Sequence, residues 1–286
     1  MGDSNSIVNI DAKGLSKVGA ALVEKVADGI GGVFRPTQLV RVARAQAKAD
    51  LIAAQSQVEI NELQARAMQR FVAEESKRQS NIEEITRQAI PLLEDKSEPE
   101  RMDDDWVANF FDKSRIVSDN EMQGLWSRIL AGESNSPGKF SKRTINLLSD
   151  LDKSDAELFA NLVRFCWMIA GPTVLIFDLK DSIYSQNGIH FAGLAHLESL
   201  GLVHLDNLGG YQRNEIPAKF AIHYRGRPLA MEVQPATEDF LPLGHCLLTN
   251  AGMQLAEICQ TSPVEGFFEY VQNKYAAKGF RSPSAV

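Results

Sequence analysis

Five histidines stand in the last hundred residues of the 286-residue chain: His190, His196, His204, His223 and His245. Imidazole transfers protons near neutral pH and binds zinc, so these residues are the first place to look for chemistry. His190 and His196 are six apart and would face differently on one helix, unlike an i, i+4 metal pair. His245 and Cys246 could lie near His204 or His223 across a sheet, which gives a candidate enzyme site around His223, His245 and Cys246. The plainer reading makes all of them core or surface residues. The run Asp103-Asp104-Asp105 could gather a divalent cation through oxygen ligands. Consecutive side chains splay apart, however, and a solvated link with a helix cap fits better. No GxSxG, GxxxxGK[ST], HExxH or CxxC pattern is present. The sequence therefore assigns no catalytic residue, no metal and no cofactor, and a non-enzymatic chain is expected.

Cationic chemistry has two candidate places. Arg225 and Arg227 flank a turn between strand-like segments 219–224 and 229–233, where they could reach phosphates. The helix-like segment from His190 to Glu198 has no Lys or Arg, which makes it a poor reader of DNA. The formal charge of −7 also argues against broad binding to nucleic acid. The second place is the N-terminus. Leu15, Val18, Leu22, Val26, Ile30 and Val33 recur at spacings of three and four and give one apolar stripe. Arg35, Arg41, Arg44 and Lys48 follow. Such a helix could lie on an anionic membrane or on a protein partner. It could equally pack against a neighbouring helix. Gly19, Gly29, Gly31 and Gly32 each weaken it, so close contact must compensate.

The element that would carry these groups is long. No Gly or Pro stands between Pro36 and Pro91. An unbroken helix from Thr37 to Ile90 would reach roughly 80 Å. Its seam includes Val42, Ala49, Ala53, Ser56, Ile60, Leu63, Ala67 and Phe71. A helix of that length cannot cover its stripe alone, so Val42, Ala49, Ala53, Ile60, Leu63 and Ala67 are candidate self-association residues. The seam lacks the Leu and Ile content of a stable two-stranded coiled coil, which points to bundle packing, between subunits if need be.

Four regions follow: 1–36, an amphipathic glycine-rich helix; 37–93, the long helix; 94–170, a helical module; and 171–286, a winged-helix-like α+β module with a C-terminal helix. In the third region Asp105 is a candidate cap for a helix near Trp106. Ser118 and Glu121 have capping-box spacing, and Gly132 is a candidate stop. In the fourth, Phe191 to Leu200 reads as a helix, then Leu202 to Leu205 as a strand. Leu248-Thr249-Asn250-Ala251-Gly252 precedes another helix, and 264–278 reads as the last. The expected fold is mainly α, ending in a winged-helix-like shape.

The middle module carries recognisable text. Asp105-Trp106, Phe110-Phe111-Asp112 and Val117-Ser118-Asp119 precede Gln123-Gly124-Leu125-Trp126-Ser127-Arg128-Ile129-Leu130-Ala131-Gly132-Glu133. Pro137-Gly138-Lys139-Phe140-Ser141-Lys142-Arg143-Thr144 follows. This resembles the bacterial domain-of-unknown-function family 2806. More distantly, Leu148-Ser149-Asp150-Leu151 and Asp155-Ala156-Glu157-Leu158-Phe159 resemble the abortive-infection alpha family, which is associated with phage resistance. Neither resemblance supplies a catalytic residue. Without them, Trp106, Phe110, Phe111, Leu125, Trp126, Ile129 and Leu130 already read as one apolar cluster.

Three cysteines with no CxxC pair fit a reducing cytoplasm, and no secretory signal or spanning segment is visible. The first residues match a short N-myristoylation pattern at Gly2, which has no meaning in a bacterial cytoplasm. The expectation is a cytoplasmic homo-oligomer, peripheral to a membrane or bound to a protein partner, serving as a phage-defence effector or scaffold. The alternatives are a winged-helix regulator of nucleic acid and an enzyme with an unfamiliar site.

Overall fold

Residues 14–30, 62–206, 208–233 and 240–281 are described by the computed structural model of the chain. They fall into two compact units, Met1–Ser149 and Asp150–Val286.

The described part of the first unit is helical. Helix α1, Lys17–Gly29, starts at Ser16, whose hydroxyl accepts from the Gly19 amide at 3.1 Å. Its glycines mark close contacts. A Cβ added at Gly29 would lie 2.4 Å from a Val107 methyl, and one at Gly19 3.3 Å from Ile90. Helix α2, Glu62–Ala89, buries only its last nine residues' inner face: Asn81, Ile82, Ile85, Thr86 and Ala89. Pro91 then tightens the chain into a 3-10 turn, Ile90–Leu92, and a second such turn spans Pro99–Arg101.

Helix α3, Asp104–Ser114, is capped by Asp103, which accepts from the Trp106 amide at 2.8 Å. The cap is thus two residues earlier than Asp105. Helix α4, Asn120–Asn135, is capped by Asp119 rather than by a Ser118 capping box, and it runs through Gly132. A carboxylate directly before the first turn outcompetes the hydroxyl one residue further out. Gly132 is kept for packing, because a Cβ there would meet the Phe140 ring at 2.7 Å. Helix α5, Lys142–Ser149, closes the unit. Trp106 stacks on Phe110 at 5.1 Å, and Phe110 meets Phe111 and Trp126 edge-on at 5.0 and 5.2 Å. That is the apolar cluster expected from the sequence, with Ile129 and Leu130 also buried.

The second unit mixes helix and strand. Helix α6, Lys153–Val163, leads into strands β1, Cys166–Met168, and β2, Pro172–Val174. Short helix α7, Ser182–Ser185, and helix α8, Phe191–Ser199, precede β3, Val203–Leu205. Then come β4, Tyr211–Asn214, β5, Lys219–Tyr224, β6, Arg227–Val233, β7, Phe240–Gly244, and β8, Cys246–Leu248. Helices α9, Asn250–Ile258, and α10, Phe267–Ala277, precede β9, Phe280–Arg281.

One five-stranded antiparallel sheet has the order β2-β1-β5-β6-β9, and β3-β8 and β4-β7 form two small sheets. The chain is therefore a mixed α/β protein, and the expected mainly α fold with a winged-helix end is corrected. In a winged helix the strand after the helix would pair with the following hairpin. Here β3 pairs with β8, while the β5-β6 hairpin joins β1 and β9. The inner face of that hairpin decides the matter. Tyr224 stacks on Trp167 of β1 at 5.1 Å, and Trp167 stacks on Phe268 of α10 at 5.4 Å. Helix α6 and strand β1, grouped with the helical module in the sequence reading, belong to this second unit.

Candidate functional site

The first eighteen or so residues of α2 carry an exposed apolar stripe. Leu63, Met68 and Phe71 expose 61%, 45% and 54% of their surface, and Ala67 is also exposed. At about 100° per residue, Leu63, Ala67 and Phe71 form one ridge at spacing four. The same face continues into Arg78, Ile82, Ile85 and Ala89, where it becomes the buried face. Large apolar side chains grouped on one exposed ridge are the usual mark of a contact surface. Charges flank it. Arg66 bonds Glu62 at 3.4 Å, Arg70 pairs with Glu74 at 3.5 Å, and Arg78 bonds Glu75. Of the candidate self-association residues, Leu63 and Ala67 lie on this ridge. Val42, Ala49, Ala53 and Ile60 lie outside the described residues. Met68 and Glu75 were not singled out from sequence, and Arg70 was read only as part of a solvated face. A helical wheel restricted to 62–78 would have found them.

The N-terminal stripe is placed differently. Leu22 and Val26 are fully buried, Leu15, Val18 and Ile30 are half-buried, and Val33, Arg35 and Arg41 lie outside the described residues. Helix α1 thus spends the centre of its stripe on packing within its own unit. No helix among the described residues is long and apolar enough to cross a membrane. Beside α1 a groove of 160 Å³ is lined by Gly29, Ile30, Ile82, Ala108 and Phe111, with the Asp112–Arg115 ion pair at its rim. It offers a ligand little besides apolar surface and a pair already satisfied.

The two candidate phosphate contacts are engaged inside the second unit. Arg225 and Gly226 both have left-handed backbone, φ 51° and 82°, as a tight two-residue hairpin turn requires. The Arg225 guanidinium donates to the Val163 carbonyl at 3.1 Å and to the Thr261 hydroxyl, tying the end of α6 to the loop before α10. Arg227 lies 3.6 Å over the Phe268 ring and donates to Glu269 at 2.8 Å.

The histidines do not converge. His223 is exposed on β5, whereas Cys246 is buried on β8 in a different sheet. The His245 ring nitrogen Nδ1 sits 2.7 Å from the Asp206 carbonyl, so it donates there. His196 Nε2 lies 2.7 Å from Asp155, which holds that carboxyl below its usual range. Burial pushes the Cys246 thiol up to about 12, far from a reactive thiolate. Among the described residues no group of three or more His, Cys, Asp or Glu side chains is placed to hold a metal ion. In the acidic run, Asp103 is the α3 cap, Asp104 pairs with Lys25, and Lys142 approaches Asp103 and Asp105.

A family model described as "Protein of unknown function (DUF2806)" matches residues 65–272, well over half of the chain. The chain belongs to the DUF2806 family. No curated protein and no solved structure matches it. The DUF2806 match opens on the exposed ridge of α2 and ends in α10, so it spans both units. Within it, the motif residues serve the fold. Glu133 is almost fully buried, and its carboxylate accepts from the Gly138 and Phe140 amides at 2.6 and 2.8 Å. The Phe140 carbonyl in turn accepts from the Trp106 indole at 2.7 Å. Thr249 caps α9 and donates to the Gly201 carbonyl at 2.7 Å. A Cβ at Gly252 would lie 2.1 Å from the Leu202 carbonyl oxygen. The Leu248–Gly252 segment, Leu-Thr-x-x-Gly, is thus a clamp between the start of β3 and α9.

Proposed function

We propose that this DUF2806 protein is a non-enzymatic, self-associating scaffold whose copies meet through the outer ridge of α2. The observation that carries it is the exposed ridge Leu63, Ala67 and Phe71, continuous with a face that is buried further along the same helix. Burial of Leu22 and Val26 favours a protein partner over a lipid surface. The distant likeness of 148–151 and 155–159 to abortive-infection alpha proteins is the ground for proposing phage resistance as the cellular setting.

Light scattering on the full chain tests the first part. The wild type should run as a multimer at micromolar concentration, and Phe71→Glu should shift it to the protomer without loss of helical circular dichroism. A wild type that remains a protomer at 100 µM (roughly a 5 kcal/mol association) would end the proposal. For the setting, plaque counts on cells expressing wild type or Phe71→Glu should differ; equal counts refute it.

A further inference from the structure

We draw no further inference here: the strongest candidate, the short loop between β3 and β4 that Asp206 and His245 pin by hydrogen bonds while Leu208 stands 98% exposed at its tip, carries nothing because nothing in the structure shows what covers that side chain.

Discussion

Glu133 and Asp181 are acids that the fold treats in opposite ways. Burial raises the Glu133 carboxyl above its usual range, against the lowering effect of the backbone amides of 138–140. A raised acid contributes stability below its unfolded value of about 4.3 and loses it as pH rises through the folded value. Asp181 is held below its usual range by Lys274 at 2.9 Å and by the Tyr270 hydroxyl. Its contribution is present above about pH 3.9 and disappears as pH falls through the folded value. Stability measured by urea unfolding from pH 3 to 8 should therefore separate the two. Asp181→Asn should cost most at neutral pH and little at pH 3, whereas the cost of Glu133→Gln should shrink as pH rises. Truncation by Glu133→Ala removes the acceptor of the buried Phe140 amide and of the part-buried Gly138 amide and should cost roughly 2–4 kcal/mol at low pH, less as pH rises. Glu133 was readable as part of a motif but not as a buried clamp, because a lone Glu at the end of a helix is ordinarily solvated.

Among the elements, those with capping residues or a strong 3.6-residue period were legible, as was the three-residue β3, whereas the equally short β1, β2, β8 and β9 were not. The α3 and α4 helices and the last helix appear in the sequence, with errors of a residue or two at their caps. Strand β1 was grouped with the preceding helical module, because Cys-Trp-Met is too short to show alternation and the only cue is Gly171. Strand β7 escaped because Pro242 interrupts it; Pro is tolerated there on the β4-β7 pair. Gly252 and Thr249 were visible as spacing, yet their purpose needs the Leu202 and Gly201 carbonyls, which are about fifty residues away. Thr249→Val keeps the shape and loses both the cap of α9 and the bond to Gly201. It should lower stability by roughly 1–2 kcal/mol in thermal unfolding. A change below a few tenths would show that the clamp carries no weight. The candidate surface was half legible: Leu63 and Ala67 were in the seam, but only the burial of 81–89 shows where that seam leaves the bundle.

At the scale of the molecule, each unit has its own aromatic core. Trp106, Phe110 and Trp126 fill one; Trp167, Tyr224, Phe267 and Phe268 fill the other. A chain of this length was expected to divide, but pairing decided where, since β1 is drawn to β5 across more than fifty residues. A fragment of residues 150–286 should fold alone and unfold in one cooperative step by near-ultraviolet circular dichroism. A fragment lacking native near-ultraviolet signal would show that the second core depends on the first. Cys246 adds a practical consequence. Its sulfur is sealed in β8 with no exposed surface and with its acidity suppressed. Oxidants and alkylating dyes therefore meet it only when the strand opens, so the rate of its modification is a clock, already built into the natural chain, for how often this half of the protein comes apart.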